Sequence, residues 1–362
     1  MRRPQGVVLI AEYEPPSPMD VDHLSHGLRQ MDARYVELLK SLFAKAEFEL
    51  THYAHPFEFM RRIDEHRDDV VISFWHGNLS RNAVGLVPAI CEAAEIDYFG
   101  ADAFARILCD DKLLSRDLAQ RMGFTTADAI LIDREPSPNA LQDLKLPVVV
   151  KPIIGGMSTG VVQVNGNEND RFLPEVISGI LREFGHPVLV EAFCPGREVM
   201  IVLVGDRQDL DIFCATEVFL LEDPSWLHDR IFSAAIKRTM TPDEWGIRAI
   251  TGEIPDEIRR KCHRLFQALG DVHYLRIDGR LSDGEFTFIE LSTTPHFWPA
   301  TALSCAAATY GISQADIIRR FVELARRRAT THSAPVRSEA EGNTPSSTAS
   351  NRAAGPANTD GG

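Results

Sequence analysis

Short apolar runs alternate with helical patterns along the first hundred residues. VVLIAEY near the N-terminus and VVISFW at 70–75 are continuous apolar segments, as in strands buried on both faces. Asp32–Ala46 and Ala83–Ala94 instead carry apolar residues at three- and four-residue steps, the period of an amphipathic helix. Together they predict a small, open, mainly parallel α/β sheet over residues 1–105. A second block, 106–190, holds a predicted helix over Asp110–Met122 stopped by Gly123, then the strand LPVVVKP at 146–152 and the glycine-rich GGMSTGVVQV. A third block, 191–330, is introduced by PVLVEAF (187–193). It continues with REVMIVLVG (197–205), the strand pair YLRIDGRL and EFTFIEL, and a helix near 313–328. After residue 330 the pattern stops. Residues 331–362 are rich in Ser, Thr, Ala, Pro, Gly and Asn, cannot offset their ordering entropy, and are expected to be disordered.

At 362 residues the chain exceeds one hydrophobic core, consistent with two or three domains. A formal net charge of −14 argues against a general nucleic-acid binder, because no broad basic surface is available to meet phosphate backbones. The N-terminal apolar run is too short for a signal segment and reads as a first buried strand. No stretch approaches the length of a membrane span. The six cysteines are widely spaced, without CxxC or Cys/His pairs, as expected of small buried residues in a reducing cytoplasm.

Three places carry candidate chemistry. Lys151 ends an apolar strand, and Gly155, Gly156, Ser158, Thr159 and Gly160 follow it. A lysine there needs an anion nearby, and a glycine-rich backbone can approach phosphates closely. A plain hairpin with a snorkelling lysine fits this stretch equally well. Asp278 and Glu290 interrupt two neighbouring apolar strands joined at Ser282-Asp283-Gly284-Glu285. A strict two-residue turn pairs Asp278 with Ile289 and puts the two acids on opposite faces. A three-residue or bulged turn sets them directly across, and this bulged form is expected, because two facing carboxylates amid apolar residues suit a divalent cation. The competing reading satisfies them with Arg276, Arg280 or a lysine. Glu191 and Glu198 bracket FCPGR and could accept from a ribose or an adenine-side donor; surface glutamates explain them as well.

In order and spacing these pieces resemble the ATP-grasp fold, in its D-alanine–D-alanine ligase branch. The resemblance covers about residues 70–325 and rests on WHG (75–77), DYFGADAFARILCDDK, VVVKPIIGGMSTGV, VLVEAFCPGREV, and RID followed by IELSTTP. It implies an α/β (α+β) architecture with an N-terminal parallel domain, a central β-rich lid domain and a C-terminal antiparallel sheet. It further implies that Lys112 and Lys151 meet the phosphates and purine side of ATP, and that Gly156, Ser158 and Thr159 close over the triphosphate. By the same resemblance Glu191, Ala192 and Phe193 meet adenine and Glu198 the ribose. Lys237 is a further phosphate-facing lysine. Asp278, Glu290 and Ser292 hold Mg2+ or Mn2+, Arg276 stabilises an oxyanion, and His76, His296 and Thr301 face substrate. The implied reaction joins a small-molecule carboxylate to an amine through an acyl phosphate. The branch commonly forms homodimers.

Several positions depart from that branch. Ser292 replaces an asparagine, His296 a glycine and Met157 a serine. EYEPPSP lacks the expected glycine-rich turn and glutamate, and LSRNA replaces an acidic stretch after WHG. Most changes fall on the amino-acid side, so substrates other than two D-alanines are expected. A true D-alanine–D-alanine ligase and a non-catalytic ATP-binding protein remain the other readings.

Overall fold

The computed structural model describes residues 6–14, 31–77, 80–136, 141–156, 158–165, 173–234, 236 and 243–332. Lys237, Met157 and the tail beyond 332 lie outside them. The first sheet is parallel, with β1 (Gly6–Ile10) between β4 (Glu49–Tyr53) and β5 (Val70–Ser73). A two-stranded pair, β2 (Tyr13–Glu14) and β3 (Met31–Asp32), lies beside it. Val7 and Leu9 of β1 enter one core and Val8 and Ile10 another, which is why its sequence is apolar without alternation. Helix α1 (Ala33–Lys45) covers one face. Helices α2 (Pro56–Arg61) and α3 (Leu86–Ala94) cover the other.

The helix predicted over Asp110–Met122 forms from Lys112 to Arg121, and a separate short helix precedes it. Asp102 caps α4 (Ala103–Asp110) by accepting from Ala105 N at 2.7 Å. Asp111 then leaves helical geometry and caps α5 (Lys112–Arg121), accepting from Leu113 N and Leu114 N at 3.0 Å each. A capping side chain outcompetes helix continuation at that residue. After β6 (Thr125–Thr126), β7 (Ala129–Ile132), β8 (Val148–Pro152) and β9 (Val162–Val164) join β10 (Val188–Ala192) in a four-stranded sheet backed by α6 (Leu173–Phe184).

The largest sheet has the order β13-β12-β11-β14-β15-β6. Its strands are β11 (Arg197–Gly205), β12 (Leu210–Leu220), β13 (Trp245–Ala249), β14 (Tyr274–Ser282) and β15 (Glu285–Ser292). Helix α7 (Asp256–Ala268) packs on the face formed by Val199, Ile201, Leu275 and Ile277. Helix α8 (Ala302–Thr309) packs on β11, β12 and β13 of the large sheet, and α9 (Gln314–His332) returns to the first sheet, where Phe321 stacks on Phe99 with centroids 3.8 Å apart. The six cysteines are free. Among the described residues no helix is long and apolar enough to cross a membrane.

The β14–β15 register resolves the two turn alternatives in an unexpected way. The turn itself is tight, with Ser282 paired to Glu285 and both Asp283 and Gly284 at positive φ. The bulge lies inside the hairpin. Gly279 pairs with Phe288 and Asp278 with Glu290, which leaves Ile289 extra and places the two acids across from each other. Gly279 permits the arrangement, since a Cβ there would sit 2.2 Å from Phe286 Cζ and 2.6 Å from Thr287 O. Gly279→Ala is therefore expected to destabilise the protein by about 2–3 kcal/mol in urea unfolding. Activity should fall more than the lost folded fraction explains, because the acids lose their register.

Candidate active site

Alternation along β14 and β15 puts four polar side chains on one face, in the pairs Arg276–Ser292 and Asp278–Glu290. The Arg276 guanidinium grips Asp278 as a fork, with Nε to Oδ1 and Nη2 to Oδ2 both 2.7 Å. Burial pushes the Asp278 pKa up; Arg276 opposes this, and the carboxylates of Glu290 and Glu198 add to it. Such crowding of half-buried acids favours a bound cation. Among the described residues no three His, Cys, Asp or Glu side chains form a ready ligand set. Two carboxylates and ligand oxygens still fit a hard dication, which commonly keeps water and phosphate oxygens in its shell. The Ser292 hydroxyl sits in a local turn, 3.4 Å from both Thr294 O and Thr294 N.

On the small sheet Lys151 is 3 % exposed, and its Nζ lies 2.6 Å from Glu191 Oε2. Arg116 Nη1 approaches the other oxygen of Glu191 at 3.3 Å. Lys112, the first residue of α5, is equally buried and donates its ammonium to Gly155 O. Burial lowers the Lys112 pKa; Glu290 and Asp110 raise it, while Lys151 lowers it further. Lys112 thus links the acidic face of the large sheet to the basic face of the small one. Two buried lysines beside two facing acids are the electrostatic frame that a metal–polyphosphate needs.

The glycine-rich stretch is fastened at its base and its tip. Lys112 N donates to Ile153 O at 2.8 Å, and Gly155 and Gly160 adopt positive φ. Gly156 is exposed, Thr159 is buried, and Ser158 Oγ donates to Phe232 O at 3.2 Å. Gln163 donates to Asp229 O at 2.9 Å and accepts from Ile231 N at 3.0 Å, so the stretch and the 222–234 segment are joined. Between the sheets, Ala192 N and Phe193 N donate to Asp128 O and Pro147 O, and Cys194 Sγ approaches Ala192 O at 3.8 Å. Glu198 pairs with Arg280 at 3.2 Å.

On the remaining side, Tyr35 of α1 accepts from Phe297 N at 3.0 Å, with the rings of Trp298 and His296 at 5.3 and 6.3 Å. Thr301 caps α8, and its hydroxyl donates to His296 O and Trp298 O at 3.0 and 3.1 Å. His76 follows β5, half-buried; burial and then Arg106 lower its pKa to about 4, which keeps the imidazole neutral.

The structure therefore gathers Lys112, Lys151, Glu191, Asp278 and Glu290 in one region, with Arg276 and Ser292 on the same face. Sequence reasoning missed Arg116, Arg106 and Asp110 as members of this region, and saw Arg280 only as a possible partner for the acids. Helical spacing offered the signal for three of them. Arg116 stands four residues after Lys112, and Asp110 four after Arg106. Arg280 shares the face of Asp278 and holds Gly196 O, Leu227 O and Arg230 O, which fixes the bend before Glu198.

Fold and site together define an ATP-grasp ligase, an enzyme class that forms carbon–nitrogen bonds with ATP. Residues 117–323 match the family described as D-ala D-ala ligase C-terminus, and the chain belongs to that family. It is 28 % identical over 260 residues to the D-alanine–D-alanine ligase of Sinorhizobium fredii, covering 71 % of this chain and 80 % of that one. The structure of Bacillus anthracis D-alanine–D-alanine ligase complexed with ATP is similar in fold, with a TM-score of 0.66 and 18 % identity, covering 91 % of this chain and 99 % of that one. The VanG D-Ala:D-Ser ligase of Enterococcus faecalis gives a TM-score of 0.64 at 18 % identity, covering 89 % and 100 %.

Proposed function

We propose that this enzyme couples a carboxylate to an amine through an acyl phosphate, and that its substrates are not two D-alanines. The carrying observation is the direct pairing of Asp278 with Glu290 beside buried Lys112 and Lys151. Asp278 and Glu290, with Ser292 beside them, would hold Mg2+ or Mn2+, which neutralises phosphate charge. Lys112 and Lys151 bind the polyphosphate, and Gly156, Ser158 and Thr159 close over it and exclude water. Glu191 and the carbonyls of Ala192 and Phe193 meet adenine; Glu198 meets the ribose.

A carboxylate oxygen of the first substrate attacks the γ-phosphorus, and the bond to the β-phosphate oxygen breaks to release ADP. The amine nitrogen then attacks the acyl carbon. Arg276 stabilises the tetrahedral oxyanion, the carbon–oxygen bond breaks, and phosphate leaves as the amine gives up a proton. His296 and Trp298 beside Tyr35 make the amine side bulky and aromatic, which supports substrates other than alanine. Incubation with ATP, Mg2+ and mixed amino-acid pools should yield ADP and an amide product identified by mass. The second reading, a D-alanine–D-alanine ligase, is favoured by the relatives so named. It replaces the first if D-alanine alone gives the fastest ADP release and a D-alanyl-D-alanine product.

A further inference from the structure

In open parallel sheets ligands gather at the carboxyl ends of the strands. Here the ends of β1 and β5 carry Glu12, Trp75 and His76, and α4 lies beside them with Arg106. Arg106 is 6 % exposed. Its Nη2 donates to Ser73 O at 3.1 Å and Trp75 O at 3.5 Å. Among the described residues no acid forms an ion pair with it. Glu12 instead accepts from Trp75 Nε1 at 3.1 Å, and Asp110, one turn along α4, acts on Arg106 only at longer range. Two strand-end carbonyls do not neutralise a desolvated guanidinium, and a buried cation without a counter-ion is costly.

Its position gives that cation a use. Arg106 acts electrostatically on His76 at the end of β5, and Asp110 connects it to Lys112 and Glu290. A substrate whose reacting carboxylate lies beside Asp278 and Glu290 would extend its other end towards Arg106. An ammonium at that end would be repelled, and a second carboxylate would receive a fork of N–H donors. We propose that Arg106, with His76 as a hydrogen-bonding neighbour, binds a second anionic group on the substrate that ATP activates, making that substrate a dicarboxylate. This rests on the ligase reading above and specifies its first substrate.

The test uses the full chain with ATP, Mg2+ and an amine pool. It compares succinate, glutarate, aspartate and glutamate with butyrate, asparagine and glutamine. The dicarboxylates should give a kcat/KM at least tenfold higher than their neutral counterparts. Arg106→Met should raise KM for the dicarboxylates roughly 100-fold, with less than a threefold change for the neutral acids, and Arg106→Lys should recover part of the loss. If neutral acids turn over as well as dicarboxylates, the anion site is overturned and the ligase reading stands. If no acid releases ADP, the ligase reading fails. Calorimetric binding of glutarate, lost in Arg106→Met and partly kept in Arg106→Lys, then supports the anion site alone, and no binding overturns it. Should Arg106→Met not fold, the wild-type substrate comparison and Arg106→Lys decide.

Discussion

Glu290→Gln and Asp278→Asn should each reduce ATP turnover by roughly 10³-fold, because each removes a charged oxygen from the proposed metal site. Their effects on stability should differ in size. Glu290 faces Asp278 across the hairpin and disfavours its ionisation, but it also supports the buried Lys112 ammonium and Arg276, so neutral glutamine removes one repulsion together with two attractions. A small loss is expected. Asp278 carries the two 2.7 Å bonds from Arg276, so asparagine leaves a guanidinium on a mostly buried face with a weaker partner. A loss of about 1–3 kcal/mol is expected. Urea unfolding beside ADP release, each across a Mg2+ titration, separates the two variants. Wild-type turnover in Glu290→Gln at every Mg2+ concentration would remove the acid pair from the chemistry.

Features written in local pattern were legible in the sequence. The doubly buried β1, the strand-ending Lys151 and the turn at Asp283-Gly284 each declare themselves within a few residues. The order of the motifs along the chain carried the rest of the resemblance. What escaped was decided by contacts between distant residues or by one local competition. The facing of Asp278 and Glu290 was expected, but the bulge lies at Ile289 inside the hairpin and not at the turn, and a glycine inside a strand was the available sign. Helix α4 had no expectation in the sequence, and its separation from α5 turned on one aspartate side chain that caps the second helix instead of extending the first. Arg116 and Glu191 lie 75 residues apart, and no periodicity links them. The core that joins Phe99 to Phe321 is equally invisible to a local reading, since it closes the first sheet with the last helix.

The second large effect is expected at Glu191, where one carboxylate serves two buried cations. Glu191→Ala leaves Lys151 and Arg116 facing each other with neither compensated, and removal of one partner from such a site typically costs about 3–5 kcal/mol. Lys151→Met should cost less, because Arg116 still meets Glu191 and the methionine chain fills the vacated volume. Its functional effect should be larger, with KM for ATP rising at least 30-fold as the proposed phosphate contact disappears. Combining the two changes tests the geometry directly. With Lys151 already neutral, loss of Glu191 strands only one cation, so the double variant should be more stable than the sum of the single losses by about 1–3 kcal/mol. Additive losses, or a Lys151→Met variant less stable than Glu191→Ala, would show that the lysine does not depend on this glutamate for its charge balance.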